Sequence, residues 1–383
     1  MKIGIWSTSD ICYNSLNYFL DCIVDTLNRL GVDTEKFEVL NEEVLYAGFD
    51  AFIGINSPLP TDKLTNGQYI LDYFNSPFFM IYVDPPYYHH QALNEHINNL
   101  HIIVLDREHI EYCERYYKPF KSVKFGYLLG PVEKEISYKD KEIDVLFAGS
   151  LYDENEFRQK VRSVWDEDWA TGIYDVLVKL GKEEPDISMS TAMKMVLDVN
   201  NVECDDEKFQ LLMNLIGTCA EFYLRGYYRR KIIKELVDAG ITVHVAGNGW
   251  ENLYQSCPHN LKLLGAVDFE KSGELMANSK IVLNIMPWFK DGLHDRVPTT
   301  MWNGSLCITD SSAYIREYFD DMKELVIFKL SEVQKLPQKI AYLLNNPVEA
   351  EEIAKAGNKK VKEIYSWERM VKECILGSIE MSI

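Results

Sequence analysis

Short apolar strands alternate with amphipathic helices along most of the chain, and this alternation restricts the fold more than any other sequence feature. The first predicted strands are Lys2–Ser7, Phe37–Leu40, Phe49–Ile55, Phe78–Val83, His101–Leu105 and Lys124–Tyr127, with helices predicted at 15–30, 67–74 and 107–117. Strands that are apolar on both faces and separated by helices form parallel sheets covered on both sides. Residues 1–135 are therefore predicted to form an α/β domain.

The pattern restarts after a polar linker at 134–141. The later predicted strands are Ile143–Ala148, Ile241–Ala246, Leu261–Leu264, Ile281–Ile285, Leu306–Thr309 and Glu324–Phe328. Residues 153–222 show no strand pattern and are predicted to be a helical insertion. Further helices are predicted at 227–239, 269–278, 299–303, 313–319, 333–344, 347–364 and 367–376. A second α/β domain is expected at 142–364, followed by a C-terminal helix within 365–383.

Charge excludes several classes of partner. The 383 residues are 47% hydrophobic, enough for two cores, and carry a net charge of −19. A nucleic-acid binder needs a basic surface that displaces counterions, and anionic lipid attracts basic segments. We therefore expect no nucleic acid and no lipid surface as a partner. An anionic ligand would be held by a few local arginines or lysines and by backbone amides.

Targeting and metal signals are also lacking in the sequence. The chain enters a predicted strand at once, so we expect no signal peptide, and no apolar run approaches the roughly 18–20 residues of a membrane span. The eight cysteines include no Cys-x-x-Cys pair, which indicates reduced thiols and a cytoplasmic protein. The adjacent His89 and His90 point apart in an extended segment, so no zinc site is expected there.

One stretch, 283–311, concentrates candidate ligand-binding groups between two predicted strands. Its loop contains Asp291, His294, Asp295 and Arg296. Ligands of parallel α/β sheets bind beyond the carboxyl ends of the strands. This loop is therefore the predicted ligand site.

The order of motifs in the second half resembles GT-B glycosyltransferases of the group 1/family 4-like type, and most closely the spore-maturation CgeB-like branch. The motifs are Phe147–Ser150, His244–Trp250, Asp291–Val297, Met301–Asp310, Asn346–Glu349 and Tyr365–Arg369. They lie within about 142–370, whereas the first domain matches in architecture only. The resemblance implies two Rossmann-like domains facing a cleft, with the acceptor on the N-terminal side, the donor on the C-terminal side and the last helix crossing back to the first domain.

The implied reaction moves a sugar, a hexosyl or related group, from a nucleotide-diphosphate donor to a hydroxyl of a glycan, a protein or a small molecule. A UDP-sugar is the expected donor, as a substrate, and no cofactor is expected. Negative charge develops on the leaving diphosphate. The only Asp-x-Asp triplet, Asp166-Glu167-Asp168, lies in a polar helical run and is interpreted as a solvated face. Arg296 fits a metal-independent phosphate site better, and an ion pair with Asp295 or Asp291 is its alternative role.

Other residues join this predicted donor site. The remaining candidates are Gly149, Ser150, Arg229, Gly247, Asn248, Trp250, Asp291, Thr299, Thr300 and Gly304. The backbone amides of Gly149 and Ser150 could approach phosphates, or the pair could be a simple turn. Gly247–Trp250 could shape the nucleobase slot, with Trp250 on the base or in the core.

Three arginines, Arg225, Arg229 and Arg230, are predicted at the start of a helix, where they either dock an anion or form a solvated face. Many relatives carry two glutamates eight positions apart, one for the sugar and one for the ribose. The corresponding residues here are Asp291 and Thr299, and a threonine lacks the carboxylate that grips a ribose diol.

The catalytic candidates are Asp84, His89 and His294. Asp84 follows a predicted strand, and His89 comes shortly after it. If the enzyme inverts, the base that deprotonates the acceptor is expected from this segment; otherwise Asp84 caps a turn. His294 is expected to contact the transferred sugar or phosphate, or to be structural.

Two other functions stay open at this point: a sugar-nucleotide epimerase of GT-B shape and a non-catalytic two-lobed binding protein. A dehydrogenase is disfavoured because the first strand-turn-helix lacks Gly-x-Gly-x-x-Gly. The sequence leaves open the sugar, the nucleotide, the acceptor, the stereochemistry, the role of the insertion and the oligomeric state, including a homo-oligomer.

Overall fold

The computed structural model describes residues 1–7, 12–39, 44, 47–95, 97–117, 120–133 and 135–380. The chain divides into two compact units. The first contains Met1–Leu129 and Tyr365–Ile383, and the second contains Gly130–Ile364. Each unit is built on one six-stranded sheet whose neighbouring strands are parallel.

The sheet of the first unit has the strand order β2-β1-β3-β4-β5-β6. Its strands are β1 Lys2–Trp6, β2 Asp33–Phe37, β3 Ala51–Ile55, β4 Phe78–Tyr82, β5 Leu100–Val104 and β6 Ser122–Phe125. Its helices before residue 129 are α1 Ser15–Arg29, α2 Ile70–Phe74, α3 His90–Leu93 and α4 Arg107–Tyr116, with 3-10 turns at Cys12–Asn14, Leu59–Thr61 and Pro86–His89. Strands β3, β4 and β5 are buried along their whole length, as their apolar sequences predict.

Strand β2 differs from its prediction. The sequence predicts a strand at 37–40, but β2 spans Asp33–Phe37, and Leu40 lies outside the described residues. Strand β2 is at the edge of the sheet, beside β1, and exposes Asp33, Glu35 and Lys36. An edge strand tolerates polar and charged side chains, so its sequence lacks the apolar signal of the inner strands.

The sheet of the second unit has the order β12-β11-β10-β7-β8-β9. Its strands are β7 Ile143–Ala148, β8 Val243–Ala246, β9 Leu261–Gly265, β10 Ser279–Asn284, β11 Leu306–Asp310 and β12 Val326–Phe328. Successive strands run outward in both directions from the adjacent β7 and β10. Such a reversal leaves a crevice beyond the carboxyl ends of the two central strands, where ligands of this architecture bind.

Helices surround this second sheet, and a group of them forms an insertion between β7 and β8. The insertion contains α5 Asn155–Val164, α6 Asp168–Glu183, α7 Met189–Val199, α8 Asp206–Leu212 and a π-helical turn at Met213–Gly217. It is followed by α9 Thr218–Asp238, α10 Phe269–Ala277, α11 Arg296–Trp302, α12 Ala313–Tyr318, α13 Leu336–Asn345 and α14 Pro347–Ile364, with 3-10 turns at Tyr138–Asp140, Trp250–Asn252 and Leu330–Lys335. The predicted helical insertion is confirmed.

The predicted end of the insertion is wrong. The sequence predicts a new helix from Tyr227, directly after Gly226, but α9 runs unbroken from Thr218. Gly226 lies inside this helix because of close packing: a Cβ there would stand 3.1 Å from Glu154 Cγ and 3.2 Å from Tyr152 O. The glycine marks a close approach of another chain segment and not a helix boundary.

The C-terminal segment packs within the first unit as α15 Trp367–Met370, a π-helical turn at Val371–Leu376 and α16 Gly377–Glu380. Tyr365 is 1% exposed, and its ring centroid lies 4.6 Å from that of Tyr127. The Tyr127 hydroxyl donates to Ser366 O at 3.0 Å, and Lys124 Nζ donates to Ser378 Oγ at 2.7 Å. Among the described residues, none of the helices combines the length and the apolar character needed to cross a membrane.

Replacing Tyr365 with Ala is expected to lower the free energy of unfolding of the first unit by about 3–5 kcal/mol, because it removes a fully buried ring. Urea denaturation of the full chain measures the loss, and amides of β6 and α1 should exchange hydrogen faster. Tyr342→Ala is the matched control, since Tyr342 is 49% exposed on α13 and its loss should cost less than about 1 kcal/mol. Equal effects of the two variants would contradict the prediction.

Candidate functional site

The turn that follows β7 begins with Gly149 and Ser150, at the point where the strand order reverses. Gly149 N donates to Ala246 O at 2.7 Å, and Asn248 N donates to Ser150 Oγ at 3.2 Å. These bonds join the turn after β7 to the turn after β8. The two turns therefore form one rigid floor at the carboxyl edge of the second sheet.

Two glycines make this close approach of the turns feasible. Gly247 has a φ of +134°, and a Cβ there would stand 2.7 Å from Gly149 C and from Ser150 N. Gly249 has a φ of +89°, and a Cβ there would overlap Leu151 O. Only glycine combines these backbone angles with the absence of a side chain, so both are required by the backbone.

Trp250 lies in the core of the second unit, which is one of the two interpretations that its sequence leaves open. The residue is 2% exposed. Its Nε1 donates to Gly149 O at 2.8 Å, and its ring packs edge-on against Phe147 at 5.7 Å between centroids. Trp250 therefore supports the floor from inside the unit and presents no open face to a nucleobase.

The three arginines predicted at a helix start lie inside α9. The prediction that they could form an anion site at a helix N-terminus is therefore wrong. The misplacement follows from the early start of α9 described above. Arg225 bonds to Glu221 at 3.0 Å with both side chains buried, and Arg230 bonds to Glu154 at 2.8 Å. Arg225 and Arg230 thus have carboxylate partners, whereas the environment of Arg229 is different.

Arg229 is buried and points to the floor, where its NH1 donates to Ser150 O at 2.7 Å. Its Nε has no hydrogen-bond partner among the described residues, and no described carboxylate lies within ion-pair distance of it. Burial, which removes the charge from water, is the main cause that lowers the pKa of Arg229 to about 10, and the charges of Arg296 and Arg225 act in the same direction.

Arg296 is the first residue of α11 and is buried as well. Its NH1 donates to Asn284 Oδ1 at 2.8 Å. The guanidinium carbon lies 5.4 Å from the centroid of the Phe147 ring, and that of Arg229 lies 5.6 Å from the same centroid. Burial lowers the pKa of Arg296, and Asp295 opposes that shift. Two buried like charges near one ring are costly without an anion beside them, so the arrangement favours anion binding.

His294 and Asp295 form a pair directly before Arg296. His294 Nδ1 lies 2.9 Å from Asp295 Oδ1. Burial lowers the pKa of His294 against the opposing charge of Asp295, so the imidazole is neutral at pH 7. Burial acts to raise the pKa of Asp295, but His294 and Arg296 reverse this and lower it. Asp295 is therefore ionised and partly offsets the charge of Arg296.

Asp310 ends β11 at the same edge and is almost fully buried. Its Oδ1 accepts from Met286 N at 2.8 Å. Burial raises the pKa of this carboxyl to about 7, although the Met286 amide and the charges of Lys290 and Arg296 act to lower it. Its charge therefore changes near neutral pH, close to the two arginines.

Several predicted donor-site residues occupy structural positions around α11. Thr299 is buried, and its hydroxyl donates to Asp295 O and accepts from Gly130 N, both at 2.6 Å. Thr300 is fully buried, with its hydroxyl 3.9 Å from Met276 Sδ. Gly304 has a φ of +64° in the turn that leads into β11. Asp291 is half-buried in the loop between β10 and α11.

The two catalytic candidates of the first unit follow β4. Asn56, at the end of β3, accepts from Val83 N at 3.1 Å, and its Nδ2 lies 3.5 Å from Asp84 Oδ2. The His89 ring lies 4.4 Å from that of Tyr82, and His89 Nε2 is enclosed without a hydrogen-bond partner among the described residues. Burial lowers the pKa of His89 to about 4, against the charge of Asp84.

Sequence reasoning missed Asn284 and Asp310. Both are polar residues at the last position of an apolar strand of the second sheet. That position is a recognisable signal, because the carboxyl ends of parallel strands adjoin the ligand crevice. Within the described ranges, no group of three or more His, Cys, Asp or Glu side chains is placed to hold a metal ion. The triplet Asp166-Glu167-Asp168 is exposed at the start of α6.

Part of this arrangement matches a known family model. A family model described as glycosyl transferase-like matches residues 229–375, which include Arg229, the loop with Arg296, and β11. No curated protein matches the chain in sequence.

Solved structures share the fold of the whole chain. HepE from Anabaena, in complex with UDP and glucose, has a TM-score of 0.57 at 11% identity, with 100% of both chains covered. Sucrose-phosphate synthase from Thermosynechococcus elongatus has a TM-score of 0.57 at 10% identity, covering 100% of this chain and 98% of that one. A DNA-modifying β-glucosyltransferase has 0.56 at 12% identity, covering 99% and 100%. At these identities the likeness establishes the fold alone.

The chain is a glycosyltransferase of the GT-B fold. The predicted fold class, an α/β protein of two domains with parallel sheets and a helical insertion in the second, is confirmed. Arg229 and Arg296 of the glycosyltransferase both lie in the segment that matches the family model, at the strand-order reversal of its second sheet.

Asp310 makes the stability of the glycosyltransferase depend on pH. The pKa of this carboxyl is raised in the folded state, so its contribution to stability is present at low pH and is lost as pH rises through about 7. Asp310→Asn should remove this dependence and raise the free energy of unfolding relative to the parent by on the order of 2–3 kcal/mol more at pH 8 than at pH 5. Thermal unfolding at both pH values measures it.

Asp320→Asn is the control for this titration, because Asp320 is exposed and its variant should behave alike at pH 5 and pH 8. Parallel pH profiles of the parent protein and Asp310→Asn would refute the assignment.

Proposed function

We propose that the second unit binds the diphosphate of a UDP-sugar through Arg296 and Arg229, and that the enzyme transfers the sugar to a hydroxyl acceptor without a metal ion. The main observation that supports this proposal is that the guanidinium groups of Arg229 and Arg296 are both buried beside Phe147, next to the Gly149–Ser150 turn. HepE has also been solved with UDP-glucose, and the β-glucosyltransferase has uridine diphosphoglucose as substrate. These ligands of proteins with the same fold support a UDP-sugar donor here.

The chemistry of the leaving group supports this role for the arginines. When the bond between the sugar and the β-phosphate breaks, negative charge increases on the diphosphate. Donors that are already fixed stabilise this charge without reorganising. Arg229 is held by Ser150 O and Arg296 by Asn284 Oδ1, so both are oriented before the donor binds. In this way two arginines supply the charge that other transferases obtain from a metal.

The loop before α11 is proposed to hold the transferred sugar. The neutral imidazole of His294 can accept a hydrogen bond from a sugar hydroxyl group at Nε2, because its Nδ1 donates to Asp295 at 2.9 Å and fixes the ring. Asp291 is the second proposed sugar contact. Thr299 has its hydroxyl engaged with Asp295 O and Gly130 N, so we assign it the support of α11 and not the recognition of ribose.

The first unit is proposed to provide the acceptor side, and the second unit the donor side. Asp84 is our candidate for the general base if transfer proceeds with inversion. His89 is the weaker candidate, because its Nε2 is enclosed against Tyr82. Membership of the CgeB-like branch is part of the same proposal and rests on the order of motifs in 142–370.

The donor assignment predicts a specific thermal-shift response. UDP should raise the Tm in the presence of EDTA as much as with Mg²⁺ or Mn²⁺, because arginines and not a metal hold the diphosphate. GDP, TDP and CMP should raise it less. A response to UDP that requires the metal would refute metal independence, and no response to any of the four nucleotides would overturn the donor site.

Arg296→Ala should weaken UDP binding by about 10- to 100-fold, because a charge-assisted hydrogen bond to phosphate is lost. Isothermal titration calorimetry measures the affinity. Arg162→Ala is the matched control, since Arg162 is exposed and paired with Asp166 in the insertion, and should leave the affinity unchanged. Equal affinities of Arg296→Ala and the parent protein would remove Arg296 from the phosphate site.

If transfer proceeds with inversion, Asp84→Asn should reduce sugar transfer by about 100-fold or more and leave UDP affinity unchanged, because the variant retains the fold but lacks a proton acceptor. Release of UDP from UDP-glucose, measured across a panel of hydroxyl acceptors, reports transfer. Asp25→Asn on the exposed face of α1 is the control. Normal turnover by Asp84→Asn would exclude Asp84 as the base. An epimerase would instead change the sugar of the donor with no acceptor present.

A further inference from the structure

Asn284 ends β10, in the centre of the second sheet, and both ends of its side-chain amide are bonded. The residue is 0% exposed. Its Oδ1 accepts from Arg296 NH1 at 2.8 Å, and its Nδ2 donates to Thr309 Oγ1 at 3.0 Å. An asparagine that is buried and bonded in this way has one fixed orientation.

The hydroxyl of Thr309 determines which way the amide faces. Thr309 Oγ1 donates its only hydrogen to Asp310 O at 3.1 Å. Toward Asn284 it can therefore act only as an acceptor, so it must meet Nδ2 and not Oδ1. The amide oxygen is thereby directed to Arg296, and the amide itself is held by Thr309 in the adjacent strand β11.

The neutrality of Asn284 matters as much as its geometry. Arg225 lies one helical turn before Arg229 on α9. The carboxylate of Glu221 bonds to Arg225 and compensates its charge. Asn284 offers Arg296 an acceptor of similar geometry but no negative charge. A guanidinium has five N–H donors in a planar fork, so a bond to one nitrogen orients the remaining donors without consuming them.

We propose that Asn284 is a positioning residue: it fixes the guanidinium of Arg296 for the donor diphosphate and adds no negative charge to that of Asp295 beside it. This role deepens the proposed function and rests on it. A carboxylate partner would both orient the guanidinium of Arg296 and compensate its charge. The neutral amide of Asn284 only orients it. An asparagine with a purely structural role would stabilise the carboxyl end of β10 and would have no effect on phosphate binding.

The test compares each nucleoside diphosphate with its nucleoside. UDP and uridine, and GDP and guanosine, are titrated into the full-length parent protein, Asn284→Ala and Asn260→Ala. Asn260 is the matched control, a buried asparagine of the same unit whose Nδ2 donates to Val237 O at 2.8 Å and Ile241 O at 3.0 Å. Asn284→Ala should weaken diphosphate binding by about 10-fold and leave nucleoside binding unchanged, whereas Asn260→Ala should lower the Tm and change neither affinity.

A double-mutant cycle assigns the effect to Arg296. Asn284→Ala combined with Arg296→Ala should bind UDP no more weakly than Arg296→Ala alone, because the first change acts through the second residue. Asn284→Asp keeps the size of the side chain and adds a negative charge. It should weaken UDP binding at least as much as Asn284→Ala, and it provides the measurement if Asn284→Ala does not fold.

Three outcomes overturn the inference alone. They are unchanged UDP affinity in both Asn284 variants, equal losses of nucleoside and diphosphate affinity, and additive losses in the double variant. If the parent protein binds neither UDP nor GDP, the proposed function fails, and this inference fails with it. The parent titration therefore separates the two failures.

Discussion

The burial of two like charges beside one aromatic ring is the constraint on which the second unit depends. Arg229 and Arg296 place their guanidinium groups within 5.6 Å of the Phe147 centroid, out of water and near each other. Such an arrangement costs free energy in the empty protein, because each charge has lost hydration and repels the other. The surrounding structure must hold both groups in place, and the anion that we propose to bind at the strand ends would relieve the cost.

Two helices, one strand and the floor of paired turns hold these groups in place. Helix α9, which continues from the insertion, carries Arg229 and its neighbour Arg225. Helix α11 begins with Arg296, and β10 ends with Asn284, which bonds to it. The floor of paired turns, made close by Gly247, accepts the hydrogen bond of Arg229. The insertion therefore has a direct structural link to the candidate donor site, since α9, the helix that continues from it, forms part of that site.

The ionisable groups around the two arginines differ in their charge at neutral pH. Asp295 remains ionised, His294 is neutral, and burial raises the pKa of Asp310 to about 7. A protonated Asp310 leaves more net positive charge at the strand ends than an ionised one. The stability of the fold is thus expected to depend on pH through this carboxyl group, and the affinity of the proposed diphosphate site is expected to follow the same charge.

The sequence by itself determined the strand-helix alternation, the restart after the linker, the helical insertion and the loop containing Arg296, because apolar patterns and glycines follow local geometry. The sequence-based prediction was wrong for the bounds of β2, whose edge position permits polar side chains. It was also wrong for the start of α9, which continues through the closely packed Gly226. Only the tertiary structure decided that Trp250 is buried, that Thr299 bonds to Gly130, and that Asn284 bonds to Arg296. Those contacts join residues from separate strands, helices and turns, and no local pattern records which distant side chains meet when a chain folds.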